Sequence, residues 1–262
     1  MVAVPVIQAQ ARPAITLRNV QKRYGGEHGV LALDRISTQI RDSEFVSLIG
    51  PSGCGKSTLL RIISGLSAFE ADEASVFGQA IEGPPEELGI VFQTANLLPW
   101  RTVTSNLSLA VELRGHRPPD LRERTVAMLA KLGLEGFGDR YPHELSGGMK
   151  QRVAIGQALM ANPRVLLMDE PFGALDALTR DHLNVELLRI WQAERKTVVM
   201  VTHSIAEAIF LSDRALVMSA RPGRIIEDIR IDLPRPRDPR TTRQHPDFGR
   251  YVVQLSELMG IV

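Results

Sequence analysis

Apolar positions along the chain follow two periods, and their alternation predicts an architecture. Short unbroken apolar runs mark strands buried on both faces: Phe45 to Ile49, Gly89 to Phe92, Val165 to Met168, Thr197 to Thr202 and Ala215 to Met218. Ala14 to Val20 instead alternates apolar with polar side chains, as a half-exposed strand does. Lys22 to Gly26 reads as a turn, and Leu31 to Ile40 resumes strand character. Between the runs the spacing becomes helical. Ser57 to Leu66 forms one helix, and Leu121, Thr125, Met128 and Leu132 share the face of another. Val153, Ala154, Gln157, Ala158 and Met160 lie on a helix ended by Asn162-Pro163, and Leu183, Leu187 and Trp191 recur every fourth position. Strands separated by helices predict an α/β fold with a mainly parallel sheet covered on both faces, and such sheets bind ligands beyond the carboxyl ends of their strands.

The same pattern divides the chain. Residues 1–14 form an extension, 15–232 the compact part, and a helical stretch from about 96 to 160 is inserted in it. Leu233 to Pro246, rich in Pro and Arg, reads as a linker, after which Phe248, Val252, Leu255 and Met259 fall on one helical face.

The predicted strands that end at Ile49, Met168 and Thr202 each release polar chemistry at the carboxyl end. After Ile49 comes Gly50-Pro51-Ser52-Gly53-Cys54-Gly55-Lys56-Ser57, which fits the phosphate-loop pattern G-x-x-x-x-G-K-[ST]. Its glycines let successive backbone N–H groups point inward at phosphate oxygens, and the helix opening near Lys56 adds its positive end. Lys56 would neutralise phosphate charge and the Ser57 hydroxyl would hold Mg²⁺. Asp169-Glu170 follows Met168, His203 follows Thr202, and Gln93 ends the run Gly89 to Phe92, as a ligand-reaching side chain or a solvated loop residue. Ser146 can cap the helix that Gly147-Gly148 opens, leaving either a second anion site or a plain capped helix. Tyr24 is a packing residue or a stacking platform for adenine. Leu97, Leu98, Pro99 and Trp100 are bulky and apolar beside Gln93, either an interface or the core of the helical lobe.

Composition narrows this reading. With 31 basic and 30 acidic residues the formal charge is +1, so no global field points to nucleic acid. The single cysteine, Cys54, rules out an internal disulfide and suits a reducing compartment. No apolar run approaches the ~18 residues of a membrane span, and Met1 to Pro13 lacks the basic start of a secretory signal.

Gly50 to Ser57, Gln93, Leu145 to Met149, Val165 to Glu170, Ala174-Leu175-Asp176 and His203 together resemble the ATP-binding subunit of ABC transporters. Within that family, Leu98 to Val103, Met168 to Arg180 and Ser219-Ala220-Arg221-Pro222-Gly223-Arg224 resemble import ATPases for nitrate, taurine, other sulfonates and bicarbonate. The resemblance implies a P-loop NTPase fold, with a RecA-like core, an antiparallel β subdomain and an α-helical subdomain. It implies that Tyr24 stacks on adenine, that Gly50, Pro51, Ser52, Gly53, Cys54, Gly55, Lys56, Ser57 and Thr58 hold the phosphates of ATP, and that Ser57, Gln93 and Asp169 complete the Mg²⁺ shell. Glu170, His203 and Gln93 would be the catalytic side chains. Ser146, Gly147, Gly148 and Asp176 would serve a nucleotide bound to the opposite protomer. The implied partners are a second ATP-binding subunit, identical or not, transmembrane permease subunits at the cytoplasmic face of the membrane and, indirectly, a solute-binding protein. The alternatives are an exporter ATPase and a soluble ABC-type ATPase acting on DNA or ribosomes. Against the soluble one, Leu145 lies only 88 positions after Ser57, without the heptads of a long coiled coil between them.

Overall fold

The computed structural model describes residues 13–26, 29–115, 118–173 and 175–261. In chain order the elements are β1 (Pro13–Tyr24), β2 (Val30–Arg41), β3 (Phe45–Ile49), α1 (Lys56–Ile63), β4 (Glu73–Val76), β5 (Gln79–Ala80), β6 (Leu88–Val91), α2 (Val103–Leu113), α3 (Leu121–Lys131), α4 (Gly147–Met160), β7 (Val165–Asp169), α5 (Ala177–Glu194), β8 (Thr197–Val201), α6 (Ile205–Leu211), β9 (Arg214–Met218), β10 (Ile225–Arg230), α7 (Pro239–Gln244) and α8 (Pro246–Leu258).

The continuous apolar runs form the central sheet, in the order β10-β9-β3-β8-β7-β6. Its pairings are parallel except β10 on β9. Because successive side chains point to opposite faces, each strand feeds two cores. Phe45, Leu166, Met168, Val198 and Met200 face the first core, shared with α4, α5, α6 and α8. Val46, Leu48, Val165, Leu167, Val199 and Val201 face the second, shared with α1 and a separate antiparallel sheet of order β2-β1-β4-β5. The parallel arrangement brings the carboxyl ends of β3, β6, β7 and β8 to one edge, where Gly50, Gln93, Asp169 and His203 emerge.

Three boundaries differ from the sequence reading. Strand β1 begins at Pro13, one residue before the expected start at Ala14, so the extension stops short of its expected bound at residue 14; Met1 to Arg12 lie outside the described residues. The strand also runs on through Lys22 to Tyr24, pairing with β2 across several register shifts, where a turn was expected. The stretch from Leu233 to Pro246 is no loose linker. Arg237 donates to the carbonyls of Ile209, Phe210 and Ser212 at 2.9, 3.0 and 2.6 Å. Arg235 bonds Leu211 O and Asp213 and lies 4.2 Å over the Trp191 ring. These cations satisfy the carbonyls at the end of α6, which a helix terminus leaves unpaired. Helix α8 then buries Phe248, Tyr251 and Leu255 against the first core.

Candidate functional site

Strand β3 hands the chain to the phosphate loop at Gly50, whose φ of 154° and approach to the Met218 carbonyl, 2.7 Å from where a Cβ would sit, leave room only for glycine. The loop closes on Gly55, left-handed at φ 104°, where α1 begins with no side-chain cap. The N–H groups of its first turn are therefore free for an anion. Lys56 is buried at 6% exposure, and its Nζ donates to Gly50 O and Pro51 O at 2.8 and 2.9 Å. A buried ammonium bonded to two neutral carbonyls and, weakly, to Cys54 Sγ is short of counter-charge, which phosphate oxygens in the loop would supply.

Across the loop, Ser57 Oγ donates to Asp169 Oδ1 at 2.8 Å. Burial raises the Asp169 pKa above the ordinary carboxylate value of 3.8; the Ser57 hydrogen bond partly offsets this, and the Glu170 charge adds to it. A half-buried carboxylate bonded to a hydroxyl, with the Gln93 amide against the following residue, Glu170, offers hard oxygen donors that fit Mg²⁺. Among the described residues no group of three or more His, Cys, Asp or Glu gathers to cage a metal. A folded pKa above the unfolded value means stability is present below pH 3.8 and lost as pH rises through the folded pKa. Asp169→Asn removes this term. The melting temperature of the variant relative to wild type, without divalent ions, should therefore rise between acid and neutral pH; an unchanged difference would contradict the assignment.

Glu170 follows at φ 45°, a left-handed conformation uncommon outside glycine, fixed by its N–H donating to Val201 O at 3.0 Å. Its Oε2 lies 3.3 Å from Gln93 Nε2 and 3.5 Å from His203 Nδ1. Side chains following three neighbouring strands thus converge on one carboxylate oxygen, at reach for ordering a water.

Glu170 also borders a cavity of about 430 Å³ lined by Tyr24, Ser52, Lys56, Ser57 and Thr58 among others, with Gln93, Asp169 and His203 outside that lining. Tyr24 is 44% exposed, with its hydroxyl 3.4 Å from Thr58 Oγ1 and the Lys22 ammonium 5.0 Å from the centre of its ring. Arg221 also lines the cavity, donating to Gly53 O at 3.3 Å; the sequence reading singled out its motif without giving it a role. The only available signal was its place just beyond β9, at the same sheet edge. Gly223 explains its neighbourhood, since a Cβ there would sit 2.0 Å from Cys54 O.

Ser146, Gly147, Gly148 and Asp176 are absent from this lining. Ser146 caps α4 through Met149 N at 3.3 Å, and Ser146 and Gly147 are exposed. Gly148 is buried against α5, where a Cβ would meet Thr179 Cγ2 at 2.9 Å. Asp176 caps α5 through Thr179 N at 3.0 Å, and that bond holds its pKa below the ordinary carboxylate value. Ala174 lies outside the described residues. A larger cavity, about 680 Å³, lies at the other end of α4. Its cations are already committed: Arg114 to Ala161 O, Arg124 to Met160 O and Lys131 to Glu194.

Comparison with known proteins decides the family. The family model described as ABC transporter matches residues 33–173. The chain belongs to the ABC transporter family. As an ATP-binding subunit of that family it is an ATPase. It is 49% identical over 226 residues to an uncharacterized ABC transporter ATP-binding protein of Methanocaldococcus jannaschii, covering 86% of this chain and 84% of that one. It is 44% identical over 249 residues to the aliphatic sulfonates import ATP-binding protein SsuB of Bacillus cereus, covering 95% and 98%. Among solved structures, a dimeric ATP-binding cassette in a post-hydrolysis state bound to ADP and Pi aligns with a TM-score of 0.72 at 34% identity, over 83% of this chain and 98% of that one. Another, cbiO1 of Clostridium perfringens, part of the cbiONQ transporter complex, aligns with a TM-score of 0.77 at 25% identity, over 94% and 95%. The P-loop NTPase fold expected from the ABC resemblance is the one observed. Among the described residues no helix is long and apolar enough to cross a membrane.

Proposed function

We propose that this ABC ATPase energises a membrane importer of a small anionic nutrient of the sulfonate, nitrate or bicarbonate type, and that it works as a head-to-tail pair at the cytoplasmic face. The pair is supported by one observation: Ser146 and Gly147 stand exposed at the start of α4, on the helical insertion rather than among the strand ends that carry Lys56 and Glu170. Exposed N–H groups at a helix start are suited to an anion presented by another chain. In that pair Tyr24 stacks on adenine, while Lys56 and the amides of Gly50 to Thr58 hold the phosphates. Glu170 orients and polarises the attacking water, His203 and Gln93 fix the carboxylate and the water, and Ser146 to Gly148 with Asp176 complete the partner's site. Mg²⁺, held by Ser57, Gln93 and Asp169, would neutralise phosphate charge. Phosphoryl transfer needs mainly this alignment and charge compensation.

The importer reading rests on the likeness to SsuB and on the surface beside Gln93. Trp100 is 71% exposed, so it is not core of the helical lobe. Its loop is held rigid by buried Asn106, which accepts from Leu98 N at 2.8 Å and donates to the carbonyls of Leu98, Arg101 and Thr102. A rigidly presented indole with partly buried Leu97 and Leu98 suits a docking site for a permease helix. An affinity-tagged chain purified from native membranes should bring down a permease and a solute-binding protein, and Trp100→Ala should lose both while keeping ATP affinity. Recovery with an exporter's membrane domain, or with ribosomes, would contradict the reading.

A further inference from the structure

Beyond the residues that meet the nucleotide, the structure contains a buried carboxylate with no part in the chemistry described so far. Glu207, on α6, is 7% exposed. Its Oε2 accepts a 2.5 Å hydrogen bond from the Thr202 hydroxyl, which in turn accepts from Ser204 N at 3.0 Å. Glu207 N donates to Ser204 Oγ at 3.3 Å. The residues on both sides of His203 are thus tied to Glu207.

The other carboxylate oxygen faces α5. Asn184 Nδ2 donates to Oε1 at 3.4 Å, and Arg180 Nε lies 3.8 Å from it. Arg180 Nη2 donates to Leu175 O at 2.9 Å, in the turn that delivers Asp176. Arg180 Nε is itself buried without a hydrogen-bond partner, as is Asn184 Oδ1. Burying a carboxylate is costly unless it is fully bonded and paired, and packing alone gives no reason for one here. The network instead leaves one donor and one acceptor unmet, and a small shift of the Leu175–Asp176 turn would bring the donor, Arg180 Nε, onto Glu207.

We propose that Glu207 is a positioning residue that couples the Asp176 turn to His203, so that an arriving partner chain sets the histidine against Glu170. This rests on the reading of His203 given above. Loss of the coupling leaves nucleotide contacts intact and misplaces His203, and a misplacement of about 1 Å costs up to ~100-fold in rate. In steady-state ATPase assays of the full chain, Glu207→Gln should lower kcat about 10- to 100-fold, with KM for ATP changed by less than about threefold. Thr202→Val, which removes the hydroxyl at nearly constant shape, should do the same and decides alone if Glu207→Gln does not fold. Adding either change to His203→Ala should slow that variant no further, because residues acting through one group are not additive. Multiplicative losses in the double variants, or wild-type kcat in the single ones, would overturn the coupling while leaving the site reading intact. Wild-type turnover in His203→Ala would instead overturn the role of His203, and the coupling with it.

Discussion

Replacing Lys56 by alanine should lower ATP affinity by about 10- to 100-fold and turnover by at least ~100-fold. The charge-assisted hydrogen bonds lost are worth ~1.5–3 kcal/mol in binding. The rate effect is that of removing a preorganised donor from developing phosphate charge. The fold should survive, because the Lys56 ammonium bonds only Gly50 O, Pro51 O and, weakly, Cys54 Sγ, all within its own loop. Nucleotide titration by fluorescence beside a thermal melt separates the two. Unchanged affinity and rate in a folded variant would reject the phosphate-loop assignment.

Glu170→Gln should leave ATP affinity within about threefold of wild type, lower turnover by ~10²–10⁴ as expected for loss of a general base, and make an ATP-bound dimer persist long enough to elute as such from a sizing column. Glutamine fills the same volume and keeps an amide oxygen facing Gln93 Nε2, so the geometry around φ 45° has no cause to relax. What is lost is the charge that polarises the water. Turnover near wild type would refute the role, and a monomer in saturating ATP would argue against closure of two chains around it.

Much of this site was legible because its parts are local. A buried strand, a turn and a helix start occupy consecutive residues, so Gly50 to Thr58 and Asp169-Glu170 could be read from spacing, with their convergence following from a parallel sheet. Residues that depend on distant approach were not legible. Arg235 and Arg237 looked like a solvated linker, yet their partners are carbonyls at the end of α6, more than twenty residues away in sequence. Arg221 reaches Gly53 across 168 positions, and Glu207 reaches Asn184 on another helix. The short β4 and β5 lack the length and alternation that identify a strand alone, and β1 supplies the pairing that makes β4 one. Trp100 was ambiguous in sequence because a core and an interface both favour bulk; its exposure separates them.

Whether a single chain holds a whole catalytic site is the central question for this ATPase. Specific ATPase activity measured over a dilution series, with the dimer fraction determined in the same samples by mass photometry, tests this most directly. If each chain supplies half a site, activity per chain tracks the dimer fraction and vanishes with it. Full activity per chain in a population that is entirely monomeric would contradict it.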